Sequence, residues 1–296
     1  MSRHRLFLVN VFAERPYAGN QLAVVTRAAD LDARRMQAIA REMNFSETSF
    51  VLDDAARDGA FDVRIFTPRE EVPFAGHPTL GSAWVIRTEL LREPCARLAL
   101  RLAVGEIPVS FETTTDGTEL LWLEPRPPWF GESAPRDTLA AVLGLGVDDL
   151  DGTHPIQAVS MGLPFWIVPL RSLDAARRCR VHREAYDAFV RDKEAKGIFV
   201  FTRETEDPGN AIHARVFVDW YGVPEDPATG SANGCFAAYL VEHRVLGGPE
   251  VSLRVEQGCE MGRPSIIELR AHKDGERFDV RVGGRVIPVA RGELVE

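Results

Sequence analysis

The sequence predicts an α+β fold made of two similar halves, and an internal repeat is the first reason. Strand-like residues beginning at Arg64 lead to a loop with Pro73 and then to an apolar segment. The same order follows at Arg215 and Pro224, each 151 positions after its counterpart. Predicted strands also outnumber helices, which come singly. This pattern favours a curled sheet around one central helix in each half over a doubly wound parallel sheet. The alternative is two unrelated strand–turn–helix units that share common turn residues.

In the first half, apolar periodicity and turn residues predict two helices and a series of strands. Asp32 is a suitable N-cap for a helix that ends near Met43. A second, apolar helix runs from His77 to about Leu91. Alternating or continuous apolar runs predict strands at 6–12, 22–25, 48–52, 61–66, 98–104, 107–111 and 120–123.

A proline-rich segment separates the halves. Pro125, Pro127 and Pro128 lie close together, and such a run continues neither a helix nor a strand ladder. We therefore expect domains at 1–127 and 128–296. In the second half the patterns predict helices at 138–143 and 183–194, and an apolar helix after the second glycine loop. Strands are predicted at 156–159, 166–169, 198–201, 215–218, 251–255, 265–270, 278–282 and 286–289.

Composition narrows the class of protein. The chain has 296 residues, 45% of them hydrophobic, and a net charge of −9 without a Lys/Arg-rich run. This balance argues against nucleic acid or an anionic membrane as a partner. No run approaches the roughly 20 apolar residues of a membrane span. The short apolar run near the N-terminus is a poor signal peptide, so the cytoplasm is the expected compartment.

The sequence also lacks the patterns of common cofactor sites. Four scattered cysteines form neither a disulfide framework nor a zinc pattern, and the histidines show no ligand spacing. The glycine loops match neither the dinucleotide fingerprint nor the phosphate-binding P-loop. We therefore expect no metal and no organic cofactor.

Two glycine-rich loops predict a site for a small anion. Gly76 and Gly230 each lie at the start of an apolar helix, where unpaired backbone N–H groups and the helix dipole favour negative charge. Ser231 could add a hydroxyl to the N–H of Gly230. Asn20 could reach the site, although a turn is the simpler interpretation. A small carboxylated molecule is the expected ligand.

Glu47 is the candidate acid/base. It lies between Phe45 and Phe50 at the start of an apolar strand. Burial of a carboxyl group favours its neutral form and raises its pKa, and such a group can both take and give a proton near neutral pH. The alternative is a surface glutamate at a strand start, or half of a capping box.

Two further residues have side chains suited to catalysis. His77 opens the first apolar helix, where the dipole disfavours a charged imidazolium and favours a neutral, hydrogen-bonding ring. Asp226 precedes the second apolar helix and suits its positive end. The alternatives are a packing or capping histidine for His77 and an ordinary N-cap or turn for Asp226.

Taken together, the motifs resemble the PhzF-like family of phenazine-biosynthesis isomerases. The resemblance covers nearly the whole chain. It rests on VNVF at 9–12 with Gly19–Asn20, NFSETSFV at 44–51, FAGHPTLG at 74–81, DPATGSANG at 226–234 and VGGRVIPVARGE at 282–293.

The resemblance implies the fold of diaminopimelate epimerase, in which two similar domains each wrap a sheet around a central helix, with the site between them. It implies that Glu47 is the catalytic acid/base and that His77, Asp226 and Ser231 occupy the other active-site positions. The best-known member isomerises trans-2,3-dihydro-3-hydroxyanthranilate without metal or organic cofactor. A homodimer is expected on the same ground.

Two rival functions remain open. One is an epimerase or racemase, but its relatives use two thiols, one in each glycine loop. Here the first loop has no cysteine, and Cys235 lies inside an apolar helix, where a buried structural thiol is expected. The other rival is a non-catalytic protein that binds a small metabolite.

Overall fold

The computed structural model describes residues 4–93 and 95–295. Contacts divide the chain into two compact units. Unit 1 comprises the described residues up to Glu124 together with those from Gly283 onward, and unit 2 comprises Pro125–Val282. No helix among the described residues is long and apolar enough to cross a membrane.

Strands form most of both units. The strands are β1 (Arg5–Val11), β2 (Asn20–Thr26), β3 (Glu47–Val51), β4 (Ala60–Phe66), β5 (Glu71–Val72), β6 (Arg97–Leu102), β7 (Gly105–Thr113), β8 (Glu119–Leu123), β9 (Trp129–Ser133), β10 (Gln157–Ser160), β11 (Pro164–Pro169), β12 (Gly197–Thr202), β13 (Ile212–Val218), β14 (Val223–Asp226), β15 (Glu250–Gln257), β16 (Ser265–Asp274), β17 (Arg277–Gly284) and β18 (Val286–Glu293).

Helices are fewer and mostly short. The α-helices are α1 (Ala33–Met43), α2 (Gly76–Val85), α3 (Arg136–Leu143), α4 (Leu173–Arg178), α5 (Arg183–Val190) and α6 (Gly230–Glu242). A π-helical turn, Ile86–Leu90, continues α2, and short 3₁₀ turns occupy Val147–Asp149, Asp219–Tyr221 and Cys259–Met261.

Unit 1 is a curled sheet around α2. Along the sheet, β18 pairs with β1 and β1 with β2, both antiparallel, and β2 then pairs with β3 in parallel. The order continues with β3–β4 antiparallel, β4–β6 parallel, and β6–β7 and β7–β8 antiparallel. Nearly every residue of α2 is buried, and a Cβ at Gly81 would meet Leu22 and Val11 of the sheet. The predicted central apolar helix is therefore confirmed.

Unit 2 repeats this order of pairing around α6. Here β9–β10 and β10–β11 are antiparallel, β11–β12 is parallel, β12–β13 is antiparallel, β13–β15 is parallel and β15–β16 is antiparallel. The short strands β5 and β14 pair with β4 and β13 in the same way. Residues Ala232 to Val241 of α6 are all buried. The repeat that the sequence predicted thus extends to the connectivity of the strands.

The division into units differs from the expected domains at the C-terminal end. The expected boundary at 127 lies close to Glu124, but residues 283–295 belong to unit 1 rather than to the second domain. The reason is that β18 pairs with β1, as β9 pairs with β10 in unit 2. Each unit thus receives its outer strand from a segment that follows the other unit in sequence.

Sequence reasoning did not predict β9 or the short helix α4.

Candidate active site

Glu47 is placed by a turn at the end of α1. Asn44 caps that helix with a left-handed backbone, φ 52°, and its N–H donates to the Ala40 carbonyl. The chain then enters β3, where Glu47 pairs with Leu22. The side chain of Glu47 is only 18% exposed.

The neighbours of Glu47 differ from those that the sequence suggested. Because side chains alternate along a strand, Glu47 and Phe50 point to opposite faces of β3. Phe50 packs in a cluster with Met36 and Ala40 of α1. It is therefore not the aromatic neighbour of the carboxyl group that the sequence pattern indicated.

His77 lies beside Glu47. It is the second residue of α2, its side chain is 5% exposed, and its Nε2 atom lies 3.4 Å from Oε2 of Glu47. Burial lowers the pKa of His77 to about 3, while a hydrogen bond with the backbone of Gln21 acts in the opposite direction. The imidazole is therefore neutral at neutral pH, and the contact with Glu47 is not an ion pair.

A neutral ring in this position can exchange hydrogen bonds with a ligand. One ring nitrogen of a neutral imidazole donates and the other accepts. Within the described part of the chain, no group forms a hydrogen bond with Nε2 of His77. This polar atom thus faces Glu47 at the start of a buried helix.

Two further predicted residues lie in unit 1. Gly76 is the first residue of α2, and the N-cap before it, Ala75, has no polar side chain with which to cap the helix. Asn20 opens β2, pairs with Val11 and is 2% exposed. It precedes Gln21, whose backbone meets His77. The structure therefore brings Asn20 and Gly76 into the same region of unit 1 as the Glu47–His77 pair.

The remaining predicted residues surround the start of α6 in unit 2. Asp226 is 8% exposed and ends β14, while Gly230 and Ser231 are the first two residues of α6. The N-cap residue, Thr229, donates its hydroxyl to Oδ2 of Asp226 in a short hydrogen bond. The loop 226–229 therefore has a defined arrangement in which the Asp226 carboxylate is held beside the helix end.

Unit 2 has no carboxyl group at the position of Glu47. In unit 1, Thr48 pairs with Phe66; in unit 2, Ile198 pairs with Phe217, which lies 151 positions after Phe66. The residue before Ile198, which corresponds to Glu47, is Gly197. A Cβ there would lie 2.4 Å from the Phe165 ring, so the space that a carboxyl would need is filled by an aromatic side chain.

One side-chain cluster has the composition of a metal site. Ligand atoms of His213, Glu256 and Cys259 lie within 4.8 Å of one another. Yet both ring nitrogens of His213 are bonded to carboxylates, Nδ1 to Glu256 at 2.8 Å and Nε2 to Glu260 at 3.0 Å. Burial lowers the pKa of His213, but its hydrogen bonds with Cys259 and the two carboxylates outweigh this and raise it to about 11. A protonated imidazole therefore supplies the positive charge in this cluster.

The thiol in α6 is unsuited to proton transfer. Cys235 is fully buried, its Sγ lies 3.6 Å from the Leu163 carbonyl, and burial raises its pKa to about 12. The ten residues of α2 contain no cysteine.

Sequence reasoning missed Gln257 and Asn233, which are fully buried beside the start of α6. The side-chain amide of Asn233 donates to the Thr229 carbonyl at 3.0 Å and to Oε1 of Gln257 at 2.9 Å. No signal in the sequence marked Gln257, because polar residues occur along the whole of β15, at Glu250, Ser252, Arg254 and Glu256.

Comparison with known proteins identifies the family. The family described as phenazine biosynthesis-like protein matches residues 9–292. The chain is 37% identical over 292 residues to the trans-2,3-dihydro-3-hydroxyanthranilate isomerase of Pseudomonas aeruginosa, covering 98% of each sequence. It is 36% identical to an uncharacterized isomerase of Mesorhizobium japonicum over 304 residues, covering 99% of each. The chain belongs to the phenazine biosynthesis-like family and is an isomerase.

Solved structures agree on the fold. A phenazine biosynthesis protein of the PhzF family from Bacillus anthracis superposes with a TM-score of 0.91 at 30% identity, with complete coverage of both chains. A probable proline racemase from Agrobacterium radiobacter shares the fold at a TM-score of 0.62 and 12% identity, covering 99% of this chain and 93% of the other. The expected epimerase-like architecture is thereby confirmed.

Proposed function

We propose that this isomerase moves a proton within a small carboxylated substrate and that Glu47 is the group that carries it. The observation that carries the proposal is the asymmetry of the repeat. Glu47 lies beside neutral, buried His77 in unit 1, whereas unit 2 has Gly197 at the corresponding position. One carboxyl group suits a reaction in which the same group removes a proton from one carbon and returns it to another.

The substrate must make such a proton acidic. A diene or carbonyl conjugated with a carboxylate delocalises the negative charge that develops when the C–H bond breaks. The carboxylate of Glu47 takes the proton, the electron pair shifts along the conjugated system, and the protonated Glu47 delivers the proton to the second carbon. The cycle ends with Glu47 ionised again, and no electrons enter or leave.

His77 and the helix ends stabilise this charge in the proposal. Neutral His77 can hydrogen-bond a substrate oxygen or the protonated form of Glu47 without adding a charge. The N–H groups at the starts of α2 and α6, with Gly76, Gly230 and Ser231, suit carboxylate oxygens. We assign the substrate's other polar groups to Asn20 and to Asp226, which suits a hydroxyl or amino donor.

The mechanism requires neither metal nor organic cofactor, because the conjugated substrate itself accepts the electron pair. The first compound to test is trans-2,3-dihydro-3-hydroxyanthranilate, the substrate named for the Pseudomonas aeruginosa relative. Incubation with the enzyme in deuterated water should convert it to an isomer, which NMR and mass spectrometry can follow.

The rival racemase predicts a different result in the same experiment. A racemase must introduce deuterium at the α-carbon of an amino acid, so a panel of free amino acids is incubated in parallel. Labelling of an amino acid, without conversion of the dihydro compound, would contradict the proposal. The buried thiol of Cys235 and the cysteine-free α2 argue against this outcome.

The second alternative, a binding protein without catalysis, would bind the dihydro compound but convert none of it.

The proposed homodimer has its own test: static light scattering should give about twice the chain mass of 32.9 kDa.

A further inference from the structure

The start of α6 rests on a buried amide that the reaction scheme above does not use. Gln257 is the last residue of β15 and has no exposed surface. Its Nε2 donates to the Asp226 carbonyl at 2.7 Å and to Oγ1 of Thr229 at 3.2 Å. Its Oε1 accepts from the backbone N–H of Thr229 at 3.3 Å and from the amide of Asn233 at 2.9 Å. All four of these hydrogen bonds go to the loop 226–229 or to the first turn of α6.

These bonds extend to the carboxylate of Asp226. Gln257 donates to the Thr229 hydroxyl, and that hydroxyl donates to Oδ2 of Asp226. Because a hydroxyl has a single proton, accepting from Gln257 directs its own proton towards Asp226. The amide thereby sets both the backbone of the loop and the orientation of its acidic side chain.

Gly258 adds a steric fit to these hydrogen bonds. A Cβ at Gly258 would lie 2.6 Å from the Pro227 carbonyl and 2.6 Å from the Arg263 carbonyl. Its φ of +75° is also a conformation that favours glycine. The loop therefore packs directly on the backbone of Gly258, in a gap that no other residue fits.

We propose that Gln257 and Gly258 form a platform that positions the loop 226–229, and with it Asp226 and the first N–H groups of α6, for the substrate. This inference rests on the proposed role of Asp226. Gln257 touches no substrate in this account and is a positioning residue. Misplacing a binding group by about 1 Å can cost a reaction about 10²-fold, so loss of the platform should lower turnover in a variant that still folds.

Two variants test the platform, each with a matched control. Gln257→Met keeps the length of the side chain and removes all four hydrogen bonds. Its control is Gln157→Met, which removes side-chain bonds to the Gly131 carbonyl and His243 elsewhere in unit 2. Gly258→Ala introduces a Cβ against the loop. Its control is Gly262→Ala, where φ is +68° but a Cβ would meet no described heavy atom within 4 Å.

The first measurement is amide hydrogen exchange of the peptide covering residues 223–235. Gln257→Met and Gly258→Ala should accelerate exchange in this peptide about tenfold relative to both controls, because the bonds that hold it are lost. The second is turnover of trans-2,3-dihydro-3-hydroxyanthranilate, where kcat should fall about 10–100-fold in the two variants and less than about threefold in the controls.

The outcomes separate this inference from the proposed function. Unchanged exchange in 223–235 would overturn the platform, whatever the turnover. Faster exchange with unchanged turnover would also overturn it as a device for catalysis. Asp226→Asn, measured beside them, tests the proposed function by itself: full activity there would remove Asp226 from the reaction. If Asp226→Asn lowers turnover but leaves it measurable, adding Gln257→Met should cost less than it costs the native enzyme, since both changes act in part through the Asp226 carboxylate.

Discussion

The Nε2 atom of His77 lies 3.4 Å from Oε2 of Glu47, yet the two groups do not form an ion pair at neutral pH. Burial at the start of α2 holds the pKa of His77 near 3, so the ring carries no charge there. A charged imidazolium would stabilise the carboxylate and make Glu47 a weaker base. A neutral ring leaves Glu47 free to exchange its proton while still offering a hydrogen bond.

The charge of His77 can be measured directly. Nitrogen NMR of the imidazole rings should show His77 as a neutral ring from pH 5 to pH 8, with His77→Gln used to assign its signal. Its folded pKa lies below the unfolded value of about 6.5, so the unfolded chain binds more protons between these values. His77 should therefore lower stability progressively as the pH falls below about 6.5. A titration of this ring centred near pH 6.5 would refute the assignment.

Cys235 offers a direct test against thiol chemistry. Its buried thiol has a pKa of about 12 and lies against the Leu163 carbonyl. Cys235→Ala should keep kcat within about twofold and lose about 1 kcal/mol of stability through the lost packing volume. A loss of turnover by more than about 10²-fold in a folded variant would favour the two-thiol alternative.

The two-unit fold was predictable because its signals are local. Strand alternation and the Gly/Pro loops each lie within short windows of sequence, and the same local pattern recurs 151 positions later, at Arg64 and again at Arg215. The pairing of β18 with β1 was not predictable, since it joins segments more than 270 residues apart in a chain of 296 and no local pattern marks it.

The sequence predicted which residues belong to the candidate site, but not how their side chains are arranged. Glu47 and His77 were both candidates, but their 3.4 Å contact spans two elements that only the folded sheet brings together. The sequence placed Phe50 beside Glu47, and the alternation of β3 turns it to the other face. Gln257 was missed because a buried amide leaves no periodic signal, and its partners lie some 30 residues earlier, at Asp226 and Thr229.

The ionic cluster around His213 predicts a dependence of stability on alkaline pH. Its folded pKa is raised above the unfolded value, so its contribution is fully present below about pH 6.5 and is lost as the pH rises towards 11. Between pH 7 and 9 the unfolding free energy should fall by at most about 1.4 kcal/mol per pH unit from this group. Chemical denaturation at several pH values measures this fall in the unfolding free energy.

The matched variant for that measurement is His213→Gln. It should lose about 3–5 kcal/mol at pH 7, because Glu256 remains buried without its cation. Glu260 is 14% exposed and still has Arg215 at 3.8 Å. Its stability should also decline less than that of the native chain from pH 7 to 9. A parallel decline in both proteins would assign the effect to other groups.

Metal removal tests the same cluster from another direction. Because His213 supplies the positive charge and Glu47 the proton transfer, dialysis against EDTA should leave both turnover and melting temperature unchanged. A loss of turnover or of melting temperature after dialysis, restored by one divalent metal, would contradict this prediction. In that case Cys259→Ser should abolish the restoration if His213, Glu256 and Cys259 hold the ion.

Glu47→Gln tests most directly whether Glu47 carries the proton. The amide keeps the shape of the side chain but has no basic oxygen. Glu71→Gln is the matched control, since it alters another carboxyl of unit 1 that is paired with Arg64 and has no role in the proposed chemistry. With trans-2,3-dihydro-3-hydroxyanthranilate, the account predicts that Glu47→Gln lowers kcat by at least about 10²–10⁴-fold with little change in KM, while Glu71→Gln stays near the native rate. Turnover by Glu47→Gln within about threefold of the native enzyme would contradict the account.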